Sequence, residues 1–142
     1  MVGKMIMDGV RDPKKVANLL QTVVDEVATE VKVYLKRLQV ITFGGVEVII
    51  YELATNANLQ QMFGELGGKR RCWKDKEEAL SFSRQHKDKL GPNVNFFELE
   101  GDFVALVRLD PDGWPYVHNV DPRSDNYVWG AEYQHRVFYP QQ

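Results

Sequence analysis

His118, Asp121, Arg123, Asp125, Glu132, His135 and Arg136 fall within nineteen consecutive positions near the C-terminus. Histidine and carboxylate can exchange protons with a substrate, arginine can clamp an anion, and histidine with carboxylate can hold a metal for phosphodiester cleavage. That chemistry requires the side chains to converge, and no activated nucleophile accompanies them. Tyr116, His118 and Val120 also alternate as the residues of one strand face do. The set therefore defines one function class, a hydrolase or nuclease using His118 and His135, without fixing any metal or cofactor; none is expected.

The same stretch is rich in rings. Trp114, Tyr116, Tyr127, Trp129, Tyr133, Phe138 and Tyr139 include two of the three tryptophans and four of the six tyrosines. Neighbours on a strand point to opposite faces, so Phe138 and Tyr139 cannot enter the same core, and ring area is left over. Tryptophan, tyrosine and arginine dominate binding energy at protein interfaces. Trp114, Tyr116, Arg123, Tyr127, Trp129, Tyr133 and Arg136 are accordingly the predicted partner-binding residues. Their expected partner is another protein, with self-association through the same strands as a second expectation.

A third candidate is cationic. Lys69, Arg70, Arg71, Trp73 and Lys74, within the basic segment 69–76, combine charge for phosphate contacts with a ring for base stacking. This is the composition of an anion site for nucleic acid or nucleotide, yet no glycine-rich phosphate loop stands beside it. The competing expectation is an edge strand with Trp73 in the core and lysines that discourage further pairing. Two further groups read as structure. His86 falls at the margin of an apolar helix face near its C-terminus. Residues 110–113, Asp-Pro-Asp-Gly, lack the distal ligands of a calcium loop and match a type I turn. Glu98, Glu100 and Asp102 read as the solvated ends of a hairpin.

These residues need elements to position them. Asp12-Pro13 can open a helix, and Val16, Leu20, Val23, Val27, Val31, Tyr34 and Leu38 form an apolar stripe that predicts a long helix over residues 12–37. The valine-rich part of that stretch, EVKVYLKRL, also fits a strand. Residues 39–43 and 46–53 flank Gly44-Gly45, a hairpin signal because both turn positions can take positive φ. A second helix is expected behind a cap at Thr55 or Asn56, with Leu59, Met62, Phe63 and Leu66 as its apolar face and Gly67-Gly68 as its stop. A third is expected from a cap at Asp75 to about Leu90. Strands are predicted at residues 95–100, 103–109, 114–120 and 128–139, the last two continuing a meander.

Together these predict a single α+β domain over residues 1–142, with a long N-terminal helix and two shorter helices on one face of a mainly antiparallel sheet. Composition agrees with a chain that buries its own core: 44% hydrophobic and 27% charged residues over 142 positions are ordinary globular proportions. The net charge of −2 conceals −1 over residues 1–68, +4 over 69–91 and −5 over 92–142. One cysteine, Cys72, leaves no intramolecular disulfide, which favours a reducing compartment. MVGKMIMDGV is broken by Asp8 and Arg11 and lacks a secretory apolar run, and no stretch reaches membrane-spanning length. The expectation is thus a cytoplasmic, membrane-free binding protein without catalytic activity, an accessory, inhibitor or assembly factor. Nucleic-acid binding and hydrolysis stand as the two alternatives.

Overall fold

In the computed structural model, residues 33–66 and 72–141 are described, within a compact unit spanning Val33–Gln142. Most of the predicted N-terminal helix, the Gly67-Gly68 stop and the basic residues Lys69, Arg70 and Arg71 lie outside the described residues.

The first strand, β1 (Leu35–Phe43), turns through Gly44-Gly45 into β2 (Val46–Leu53). Both glycines have positive φ, +58° and +79°, as a two-residue hairpin turn requires. Pairing runs back from that turn, through a register shift at Leu38, to Leu35 opposite Leu53. This corrects the predicted long helix: its last residues, Leu35 to Arg37, are strand. Over so few residues the Val31, Tyr34, Leu35, Leu38 spacing cannot separate a helix stripe from a strand, and pairing with β2 decides.

Helix α1 (Leu59–Glu65) is capped by Asn58, not by Thr55 or Asn56. The Asn58 side chain accepts the Gln61 N–H while the Gln61 side chain accepts the Asn58 N–H, 2.8 and 2.9 Å, a reciprocal capping box. Helix α2 (Lys76–Gln85) starts where Asp75 accepts the Glu78 N–H at 2.9 Å. It then gives way to a 3-10 turn at Lys87–Lys89, short of the expected end at Leu90. Four strands follow: β3 (Asn95–Leu99), β4 (Phe103–Leu109), β5 (Pro115–Pro122) and β6 (Arg136–Pro140).

The six strands form one sheet in the order β1-β2-β6-β3-β4-β5. All neighbours are antiparallel except β3 and β6. The expected meander thus ends at β5. A single long strand over residues 128–139 is replaced by a bridge at Trp129, a 3-10 turn at Ala131–Tyr133 and the short β6, which inserts between β2 and β3.

The two helices lie on opposite faces, not on one. Leu59, Met62 and Phe63 of α1 pack with Phe96, Val104, Leu106 and Val137. Ala79 and Phe82 of α2 pack with Phe97, Ala105, Val107 and Phe138 on the other face. Adjacent strand residues therefore both find a core, and all five residues of β3 are buried. Helices on a single face, as expected from the sequence, would leave the other face wet; a central strand roofed on both sides instead reads as a continuous apolar run. The fold is α+β on a mostly antiparallel sheet, and among the described residues no helix is long and apolar enough to cross a membrane.

Candidate functional site

β5 is an edge strand, and its pairing with β4 is irregular: Leu106 opposes Asn119 and Val107 opposes Val117, which leaves His118 as the extra residue of a bulge. A bulge re-aims side chains at a sheet margin. Here it sets His118 and Asn119 on the rim of a groove of about 450 Å³ on the α1 side of the sheet. Leu106 contributes from β4, Asp121 from β5, and Asp125, Tyr127 and Trp129 from the following loop.

That loop is fixed along its length. The Arg123 N–H donates to the Asp102 carbonyl at 2.8 Å and the Asp125 N–H to the Pro122 carbonyl at 2.9 Å. Trp129 exchanges backbone hydrogen bonds with Ala57, 2.8 and 3.1 Å, and the Ala131 N–H donates to Asn56 Oδ1 at 2.9 Å. Asp125 Oδ1 accepts the Tyr127 N–H at 2.9 Å, an Asx turn, and Asp121 Oδ1 accepts from the Asn119 side-chain amide at 2.6 Å. Partial burial, then the charge of Asp125, holds the Asp121 carboxyl above the usual aspartate range, against an opposing pull from His118.

The predicted aromatic surface divides. Phe138 is buried and stacked on Phe97 at 4.9 Å, and Tyr139 is half-buried beside Tyr51. Trp129 is half-buried, its ring 5.0 Å from Phe96 and 5.3 Å from His135. Tyr127, 60% exposed, meets Trp129 edge-to-face at 4.7 Å, and Tyr133, 53% exposed, lies 5.9 Å from His135. These rings form one continuous strip around His135. Trp114 (54%) and Tyr116 (41%) are also exposed, but Lys87 Nζ already sits 3.9 Å over the Trp114 ring, an internal cation–π contact.

Neither predicted arginine is free. Arg123 Nη1 is 3.0 Å from Glu98 and Nη2 3.1 Å from Asp102. Arg136 Nη1 donates to the Lys89 carbonyl at 2.6 Å, with its stem against Gly91. The two predicted catalytic histidines also part company. His118 is exposed on the groove rim, whereas His135 is 4% exposed with the Val94 N–H donating to Nδ1 at 3.1 Å. An occupied Nδ1 lone pair places the imidazole proton on Nε2. Among the described residues no group of three or more histidine, cysteine or carboxylate side chains is arranged to hold a metal.

His135 carries a pH signature. Burial, aided by the Arg108 charge, pushes its imidazole below the ordinary value of 6.5. As pH falls, the unfolded chain takes up the proton first. The His135 contribution to stability is thus complete above about pH 6.5 and is lost progressively as pH drops toward the folded value, with a slope of at most about 1.4 kcal/mol per pH unit. Urea unfolding between pH 7.5 and 5 should reveal this loss, and His135→Asn, whose carbonyl can still accept from Val94, should flatten it.

In the basic segment, Trp73 is 2% exposed and donates its indole N–H to the Phe138 carbonyl at 2.9 Å. It cannot stack on a base. Lys74 is exposed, its backbone N–H held by Glu78 at 2.8 Å.

Sequence reasoning missed the groove itself, with Leu106, Asn119 and Asn126 among its lining. Its one local signal was the loop Asp121-Pro-Arg-Ser-Asp-Asn126 directly ahead of Tyr127 and Trp129. Compared with protein-family models, curated proteins and solved structures, the chain matches none.

Proposed function

We propose that this chain is a non-catalytic binding protein that recognises another protein through the aromatic strip of Tyr127, Trp129 and Tyr133. The observation that carries the reading is that Tyr127 and Tyr133 each leave more than half their surface exposed on segments pinned to the connection between β2 and α1 through Ala57 and Asn56. Rings held out by a fixed scaffold lose little freedom on binding, which is what interface hot spots require. The single cysteine supports a reducing, cytosolic setting. A hydrolase is the weaker reading, because His118 and His135 occupy different environments and the Nδ1 of His135 is already engaged.

The test is capture of a partner by the immobilised chain, its identification, and titration of the purified partner against variants. Tyr127→Ala and Tyr133→Ala should each weaken binding at least about tenfold, or 1.4 kcal/mol, while melting stays within about 0.5 kcal/mol of wild type as for exposed positions. Trp114→Ala, whose ring is occupied by Lys87, should change binding little. Unaltered affinity in both tyrosine variants would overturn the reading. Light scattering on the isolated chain reports self-association in the same preparation.

A further inference from the structure

Asp121 and Asp125 share an unusual arrangement. Each has Oδ1 held by the fold, through Asn119 and through the Tyr127 N–H, while neither has a salt-bridge partner among the described residues. The remaining oxygens are therefore oriented and, among the described residues, without an ion pair. Beside them stand the edge-to-face rings of Tyr127 and Trp129, 4.7 Å apart, with apolar Leu106 in the lining. The surrounding segment, residues 92–142, has three arginines and no lysine against eight acidic residues. Two of those arginines, Arg123 and Arg136, are spent on Glu98 and Asp102 and on the Lys89 carbonyl. Among the described residues no lysine or arginine forms an ion pair with Asp121 or Asp125, and His118 on the groove rim is the one basic side chain that acts on Asp121.

Resting on the partner reading above, we propose that this groove is the subsite for an arginine side chain carried by a basic segment of the partner protein. A guanidinium is planar, weakly hydrated and forked, so one group can lie against an aromatic face and donate paired N–H groups to a carboxylate. Lysine offers a compact, strongly hydrated charge without the plane, and a neutral or acidic side chain leaves both aspartates unpaired. Anchoring of each Oδ1 fixes the carboxylates before the ligand arrives, and the Ala57 and Asn56 contacts fix the rings. The Asp121 carboxyl is raised by burial and by the neighbouring Asp125, against the pull of His118, and an arriving guanidinium would oppose that rise.

The test uses the full chain, labelled with nitrogen-15, and three probes: acetyl-Gly-Arg-Gly-Arg-Gly-amide and its lysine and citrulline counterparts. Citrulline keeps the shape of arginine without the charge. Titration of the arginine peptide should move the Trp129 indole N–H and the side-chain amides of Asn119 and Asn126 saturably, with weakening as salt rises. Binding should fall at least fivefold for the citrulline peptide, for Asp121→Asn combined with Asp125→Asn, and for Tyr127→Ala, and less for the lysine peptide. The asparagine substitutions keep an oxygen for each Oδ1 hydrogen bond, and an unchanged amide spectrum elsewhere verifies the fold. Equal binding of the citrulline peptide, shifts confined to other surfaces, no shift at millimolar peptide, or full binding by the double asparagine variant each overturns the inference. Should that happen while Tyr127→Ala still weakens the purified partner, the partner reading stands without the arginine; if partner binding is also unaffected, both fall.

Discussion

Trp73→Ala is expected to destabilise the protein by about 3–5 kcal/mol, the range for removing a buried tryptophan or phenylalanine ring. The indole contacts Phe82 at 5.1 Å and Phe97 at 5.2 Å, tilted and edge-to-face, and lies 6.0 Å from Phe43. Its backbone also matters. β6 pairs with β3 only at Asn95 and Phe96, and Trp73 occupies the same flank further along, bridging Leu99 through hydrogen bonds to Glu98 and Glu100 of 2.8 and 3.0 Å. Truncation leaves a cavity on the α2 side of the sheet and orphans the Phe138 carbonyl that accepts the indole N–H. Trp73→Phe separates the two effects: most ring area returns, while the lost hydrogen bond still costs about 1–3 kcal/mol. Urea unfolding followed by circular dichroism measures both. Had Trp73 served as a stacking platform for nucleic acid, its replacement would weaken oligonucleotide binding and leave the unfolding midpoint in place.

The position of Trp73 shows what local sequence can and cannot convey. Features decided by a few neighbouring residues were legible: the Gly44-Gly45 hairpin, the Asp75 cap, and the turn at Gly101-Asp102, where both residues adopt positive φ of +88° and +66°. Features decided by distant pairing were not. Nothing in Arg136–Pro140 announces that this strand inserts between β2 and β3, because burial on both faces depends on which neighbours arrive. The valine-rich run into β1 fits two periodicities, and β2 selects one. The alternation argument for surplus ring area fails at Phe138 and Tyr139, because both faces of the sheet are covered; the rings that stay exposed, Tyr127 and Tyr133, lie in a loop and a 3-10 turn, where strand alternation does not apply. The groove was not, because it requires a bulge that arises only in the pairing of β5 with β4, and a loop folded back toward α1. The contacts of Arg123 and Arg136 were hidden for the same reason: residue type suggests an interface, while the partners they meet within the fold lie 25 and 47 positions away.

Arg123→Ala is expected to lower stability by about 2 kcal/mol. The guanidinium bridges Glu98, whose side chain is 6% exposed, and Asp102, which is 79% exposed. These two contacts differ in weight. The Asp102 arm is a solvated ion pair of the kind that contributes under about 1 kcal/mol. The Glu98 arm compensates a carboxylate on a strand buried along its whole length, and breaking a fully buried pair from one side costs about 3–5 kcal/mol. With Arg123 itself 31% exposed, water can enter after truncation, which reduces the expected loss to the lower figure. Glu98→Gln removes the carboxylate that Arg123 engages, so the Arg123→Ala/Glu98→Gln double variant should lose less than the sum of the two single variants, a coupling that a double-mutant cycle reads directly. The same residue starts the loop that carries Asp125, Tyr127 and Trp129, so the single variant should also blunt partner binding, in step with its loss of stability. An Arg123 that touched the partner instead would show the opposite pattern: weaker binding, no change in the unfolding midpoint, and no coupling to Glu98→Gln.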